Sequence, residues 1–139
     1  MSKTILVVDD EKDIRISLTG ILEDEGYQVV TAASGVEALE KLREDLPDLV
    51  LLDIWMPGMD GLQALEKIKS LLPHITVIMI SGHANIDLAV KAVKLGAFDF
   101  LEKPLSLDRV MVIVRNALEI EKLRRENLRL KNSLIFQDE

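Results

Sequence analysis

Five short apolar runs punctuate the chain, and the stretches between them carry a helical period. The runs are TILVV (4–8), YQVVTA (27–32), LVLL (49–52), TVIMI (76–80) and FDFL (98–101). The first, third and fourth are apolar almost throughout and rich in branched residues, as strands covered on both faces are. Residues 12–25 place Ile14, Leu18, Ile21 and Leu22 on one stripe and stop before Gly26. A second helix opens on SGVE (34–37), read as a capping box, with Ala38, Leu39 and Leu42 on its apolar face. A third follows Asp60, uses Leu62, Leu65 and Ile68, and ends before Pro73. A fourth covers 86–95 and stops at Gly96, a good residue just past a helix end. The fifth starts near Ser106 and meets no stop signal for over twenty residues. Five strand–helix units predict a parallel sheet with helices on both faces.

Composition narrows the class. The 139 residues suit one domain and an appendage. Cysteine is absent, so disulfides and thiolate metal sites are excluded. Lys and Arg number 17 against 24 Asp and Glu, a net charge of −7, the wrong sign for direct nucleic-acid binding. MSKTILVVDDEKD holds only a short apolar run before two acids, too short for a signal peptide or membrane span. The expected location is cytoplasmic, with no membrane partner.

The chemistry gathers where the strands end. Run one leads into Asp9 and Asp10, run three into Asp53, run four into Ser81, and run five into Glu102, Lys103 and Pro104. In an open parallel sheet these carboxyl ends share one edge, and ligands bind there where strand order reverses. An isolated buried charge is costly, so Asp53 needs partners. Three acids together repel unless a cation sits among them. The donors are hard oxygens, which suit Mg²⁺ or Ca²⁺. Lys103 adds a point charge and Ser81 a hydroxyl. All three favour an anion added beside Asp53, and a carboxylate can itself accept a phosphoryl group.

VVDDEKD, LLDIWMPGMDG, MISGH and GAFDFLEKP together resemble the receiver domain of two-component response regulators. The resemblance implies an α/β, doubly wound, five-stranded parallel sheet of order 2-1-3-4-5, CheY-like, with an extended C-terminal helix. It implies that Asp53 is the phosphoacceptor of a sensor histidine kinase, and that Lys103 and Ser81 contact the phosphoryl group. It implies Mg²⁺ on Asp10, Asp53 and the Trp55 backbone carbonyl, with Asp9 acting through water. It implies a cis Lys103–Pro104 peptide, and Phe100 as the switch aromatic beside Ser81. Trp55 and His83 match positions that tune dephosphorylation, and bulky Trp55 predicts a long-lived phosphoryl group. His74 is expected to be surface only.

SGHANIDLAVKAVKLGAFDFLEKP is similar to receivers of the NtrC/NtrX class of sigma-54-dependent transcriptional activators. Their effector is an AAA+ ATPase in cis. No G-x-x-x-x-G-K-[ST] loop occurs here, so the chain reads as residues 1–117 of receiver and 118–139 of linker to a further domain.

The resemblance to receivers implies a homodimer through helix four, strand five and helix five, and two apolar surfaces point to a partner there. On helix four, Ile86, Ala89, Val90 and Val93 are expected to face the sheet, leaving Leu88, Ala92 and Leu95 as an outer stripe. Along the C-terminal helix, Ile120, Leu123, Asn127, Leu130 and Leu134 alternate steps of three and four, a coiled-coil seam. Asn127 at an a position favours parallel two-stranded pairing. Two rival readings have different signatures. A haloacid-dehalogenase-type phosphatase needs a second Asp two residues after Asp53, where Trp55 stands. A phosphorylation-independent dimerisation module would not need the full acid, hydroxyl and lysine set.

Overall fold

In the computed structural model the apolar runs become strands β1 (Thr4–Val8), β2 (Gln28–Ala32), β3 (Leu49–Asp53), β4 (Thr76–Ser81) and β5 (Asp99–Glu102). Between and after them lie α1 (Lys12–Asp24), α2 (Gly35–Asp45), α3 (Gly61–Leu71), α4 (Ile86–Lys94) and α5 (Leu107–Gln137). The structure describes residues 2–82 and 86–137, the last three by backbone alone. All pairings are parallel, in the order β2-β1-β3-β4-β5. No helix among the described residues is long and apolar enough to cross a membrane.

Two cores sit on the two faces of the sheet. Leu18 and Leu22 of α1 and Val110, Val114 and Ala117 of α5 cover Ile5, Val7, Leu49, Leu51, Ile78 and Ile80. Helices α2, α3 and α4 cover the other face through Ala38, Leu42, Ala64, Leu65, Ile68 and Ala92, against Leu6, Val8, Val50, Leu52, Val77 and Met79. β3 and β4 are buried at every position, which matches their unbroken apolar runs.

The helix ends follow local chemistry, with one reassignment. The Ser34 hydroxyl accepts the Glu37 N–H at 3.1 Å, but the Glu37 carboxylate takes the Ala33 N–H at 3.3 Å. SGVE is therefore an N-cap with a displaced return bond. The complete capping box lies at α3: Asp60 accepts the Gln63 N–H at 2.9 Å, and Gln63 accepts the Asp60 N–H at 3.1 Å. Helix α5 is one unbroken 31-residue element. Its fully buried side chains end at Ala117.

The inner and outer faces of α4 are the reverse of the sequence expectation. Ala92 is fully buried, and Leu95 packs on the core. Ile86, Val90 and Val93 are 81%, 46% and 56% exposed. Both stripes are apolar, so period alone does not choose between them. The helix stop does. The Gly96 N–H bonds Val93 O, and the Ala97 N–H bonds Ala92 O, both at 3.0 Å. This Schellman pattern joins Ala97 to Ala92 in an apolar contact and rotates Ala92 inward. Leu88, Ala92 and Leu95 therefore do not form an outer face.

Candidate functional site

Strand register assembles the site. Val8 lies opposite Leu52, which brings Asp9 level with Asp53, and Asp53 lies opposite Ile80. Side chains alternate faces along a strand. Two residues beyond Val7, Leu51 and Leu101, which share one core, the same face carries Asp9, Asp53 and Lys103. Ser81 continues the opposite row of Val77 and Met79, and Met79 pairs with Phe100. Alternation thus puts charges on one face and the hydroxyl with the aromatic ring on the other.

Lys103 Nζ lies 3.0 Å from Asp9 Oδ2, 3.6 Å from Asp53 Oδ2 and 3.6 Å from Glu11 Oε1. Asp9 and Asp53 are buried, and Asp10 is exposed. One carboxylate oxygen from each of the three lies within 4.8 Å of the others. Asp9 Oδ1 accepts the Glu11 N–H at 2.9 Å, while the buried Oδ2 has no aligned hydrogen-bond donor among the described residues. Its close neighbour is the Lys103 ammonium. Burial, then the Asp9 charge, pushes the Asp53 carboxyl up to about 6, against the pull of Lys103 and the Trp55 backbone N–H. Burial opposes the Lys103 ammonium, but Asp9, Asp53 and Glu11 outweigh it and hold its pKa above the ordinary lysine value.

Neighbouring backbone holds these groups in place. The Lys103 N–H bonds Ser81 O at 2.8 Å, and the Lys103–Pro104 peptide is cis. The Gly61 N–H bonds Ile54 O at 2.7 Å. A Cβ on Gly61 would meet the Asp53 carbonyl oxygen and come within 2.5 Å of Ile54 Cα. Only glycine lets α3 start this close to the end of β3. The sequence does not mark two further neighbours, Glu11 and Arg15. Arg15 Nη1 bonds Asp9 O at 2.8 Å. Glu11 is the N-cap residue of α1 and Arg15 follows four residues later, a spacing that puts both on one side of the helix beside the β1 end.

Asp9, Asp10, Asp53 and Lys103 converge as the sequence suggests, with Ser81 buried at the same sheet edge. The Trp55 side chain stands 52% exposed beyond Asp53. Phe100 is half-buried and packs on the α2–α3–α4 core. His83 lies outside the described residues, and His74 is exposed. On α5, Ile120, Leu123, Asn127 and Leu130 are all exposed.

An open doubly wound parallel sheet with acids and a lysine at its switch point defines an α/β domain that binds its ligand at the carboxyl edge of the strands. The family model of the response regulator receiver domain matches residues 5–115, and the chain belongs to that family. It is 50% identical over 133 residues to the nitrogen assimilation regulatory protein NtrX of Azorhizobium caulinodans, spanning 94% of this chain and 29% of that protein. The crystal structure of NtrX from Brucella abortus matches with a TM-score of 0.89 at 48% identity, over 94% of this chain and 30% of that one. The crystal structure of the receiver domain of that NtrX matches with a TM-score of 0.79 at 50% identity, over 83% of this chain and 98% of that one. The chain thus spans under a third of the full-length relatives.

Proposed function

We propose that this chain is the input domain of an NtrC/NtrX-class transcription regulator, switched by phosphorylation of Asp53. The observation that carries the reading is the convergence of Asp9, Asp10 and Asp53 around one point, with Lys103 3.6 Å from Asp53. The three acids fit a divalent cation. Their donors are hard oxygens, and one buried oxygen of Asp9 has no aligned hydrogen-bond donor among the described residues. Asp10, Asp53 and the Trp55 carbonyl would hold Mg²⁺ directly, with Asp9 through water. Bound there, the cation would neutralise charge on the transferred group.

The residues divide the work. An Asp53 oxygen attacks phosphorus, an O–P bond forms, and the P–N bond to the kinase histidine breaks with its electron pair left on the imidazole nitrogen. Lys103 offers its ammonium to the incoming oxygens, drawn from Asp9 and Glu11. Ser81 offers its hydroxyl from the opposite row, next to Phe100. Phe lacks a ring hydroxyl, so movement of that ring is stabilised by packing alone. The domain acts in the cytoplasm as a regulator, not as an enzyme on small substrates. Residues 1–117 form the receiver and 118–139 the link to an AAA+ ATPase in cis. Homodimers form through α4, β5 and α5, with Ile86, Val90 and Val93 as the α4 contribution and Ile120, Leu123, Asn127 and Leu130 continuing it along α5.

Trp55, the single tryptophan, lies two residues from Asp53 and reports on the site. Mg²⁺ followed by beryllofluoride should change its emission in the native chain. Asp53→Ala should abolish the beryllofluoride response, and an unaltered response in that variant defeats the assignment.

A further inference from the structure

Glu11 stands where a helix cap belongs, yet its side chain does not cap. It is the N-cap residue of α1 with extended backbone, and its carboxylate accepts no bond from the first turn. Ser34 and Asp60 hold the same place before α2 and α3, and each takes a backbone N–H there. Short oxygen-bearing side chains are the ones that cap well. The longer Glu11 side chain goes elsewhere: its Oε1 lies 3.6 Å from Lys103 Nζ. The backbone is pinned for that reach. The Glu11 N–H donates to Asp9 Oδ1 at 2.9 Å, Glu11 O accepts the Arg15 N–H at 3.2 Å, and Arg15 Nη1 returns to Asp9 O at 2.8 Å.

The acids around Lys103 differ in place. The Asp9 and Asp53 side chains are 1% and 3% exposed and hold the ammonium from within. The Glu11 side chain is 61% exposed and holds it from the solvent side. Asp9 and Asp53 belong with Asp10 to the carboxylates that gather around one point, and Glu11 is outside that group. A divalent cation at that point would draw on the charge of Asp9 and Asp53. The charge of Glu11 would stay free for the lysine.

We infer that Glu11 is a positioning residue that holds the Lys103 ammonium back from Asp53, so that an anion arriving at Asp53 must win the lysine from it. This inference rests on the proposed function and adds a residue that sets how readily the site takes its anion. Glu11 and the incoming group compete for one ammonium, and the competition weakens anion binding by the strength of the ion pair. An ion pair with one exposed partner is modest, so the factor is about two to five. Two substitutions separate contact from charge. Glu11→Gln keeps the length and removes the charge. Glu11→Asp keeps the charge, but the side chain is one methylene shorter and turns to cap α1. Glu11 is exposed, so neither change disturbs the core.

The test titrates beryllofluoride into the 139-residue chain at saturating Mg²⁺, followed by Trp55 emission. Both Glu11→Gln and Glu11→Asp should reach half-saturation at a concentration about two- to fivefold below that of the native chain. Acetyl phosphate should label both variants faster by a similar factor. Mg²⁺ affinity, measured before fluoride is added, should be native in Glu11→Asp, because Glu11 is not a ligand of the cation. Native midpoints in both variants overturn the inference. A gain in only one of them also overturns it: in Glu11→Gln alone it reports the lost negative field, and in Glu11→Asp alone the new cap. Weaker Mg²⁺ binding in Glu11→Asp overturns it as well, because Glu11 would then belong to the cation site. Absence of any Asp53-dependent response in the native chain removes the phosphoacceptor reading and this inference together. A native response with unmoved midpoints removes the role of Glu11 alone.

Discussion

Lys103 leans toward Asp9, not toward Asp53: its ammonium is 3.0 Å from the first carboxylate and 3.6 Å from the second. The ammonium thus mainly compensates Asp9, and Asp53 stays short of compensation. Asp9→Asn should release the lysine toward Asp53 and remove a repelling charge. The Asp53 carboxyl, pushed up to about 6 in the native chain, should then titrate lower. Carbon-13 detection of the side-chain carboxyl reads this directly. A titration that does not fall would show that burial alone sets the shift.

Asp53 should also make metal-free stability depend on pH. Its folded pKa of about 6 lies above the ordinary 3.8. The folded state therefore binds the proton more tightly, and that contribution is present below pH 4 and lost as pH rises through 6. In chelator, native stability should fall over this window relative to Asp53→Asn, by on the order of 3 kcal/mol. Urea titrations at stepped pH measure it. Saturating Mg²⁺ should flatten the difference, and parallel curves in chelator would contradict the shift.

Gly61 controls the acceptor loop by its lack of a side chain. Gly61→Ala forces a methyl into the Asp53–Ile54 backbone, so α3 and β3 must separate. The expected cost is about 1–3 kcal/mol, the range for overpacking a tight site. Mg²⁺ affinity should fall with it, because the loop carries the Trp55 carbonyl. Gly35→Ala is the control: its Cβ meets only the flexible Met59 side chain, at 2.9 Å from sulfur. It should cost less and leave the Mg²⁺ response of Trp55 intact.

Two substitutions two residues apart on α4, on opposite sides of the helix, separate its faces. Val90→Glu lies on the exposed face and should leave thermal stability within about 0.5 kcal/mol of native. Dimerisation should weaken. Ala92→Leu enters the core and should destabilise by about 1–3 kcal/mol. The opposite ranking of the two in a melting experiment would restore the original assignment of the outer face.

Trp55 offers a kinetic test. Its side chain is 52% exposed two residues beyond Asp53, and under the proposed function a large ring at that position would limit the approach of water. Trp55→Ala should shorten the half-life of the aspartyl phosphate several-fold, followed by loss of acid-labile phosphate. An unchanged half-life would assign the ring no shielding role.

The strands were legible because two-sided burial leaves no room for polar residues, and β3 and β4 show that directly. The acids and lysine were legible because four strand ends carry compatible groups at once, whereas an acid after any single strand is often only a helix cap. What the linear pattern hides is rotation and reach. The faces of α4 depend on how Ala97 folds back on Ala92, a contact set by backbone bonds after the helix. Glu11 and Arg15 join the site through long side chains that bend back past the β1 end. Ser34 and Glu37 have the right spacing for a box, yet a carboxylate one bond too far along takes Ala33 instead.

The continuity of α5 has a mechanical meaning. Between Ala117, where it is gripped by the core, and Gln137, twenty further residues extend about 30 Å at 1.5 Å each. A tilt of about 5° at the gripped end would sweep the far tip through about 2.6 Å over that length. Repacking too slight to disturb the sheet thus arrives at the far end of the helix as a displacement the size of an atom, magnified by leverage.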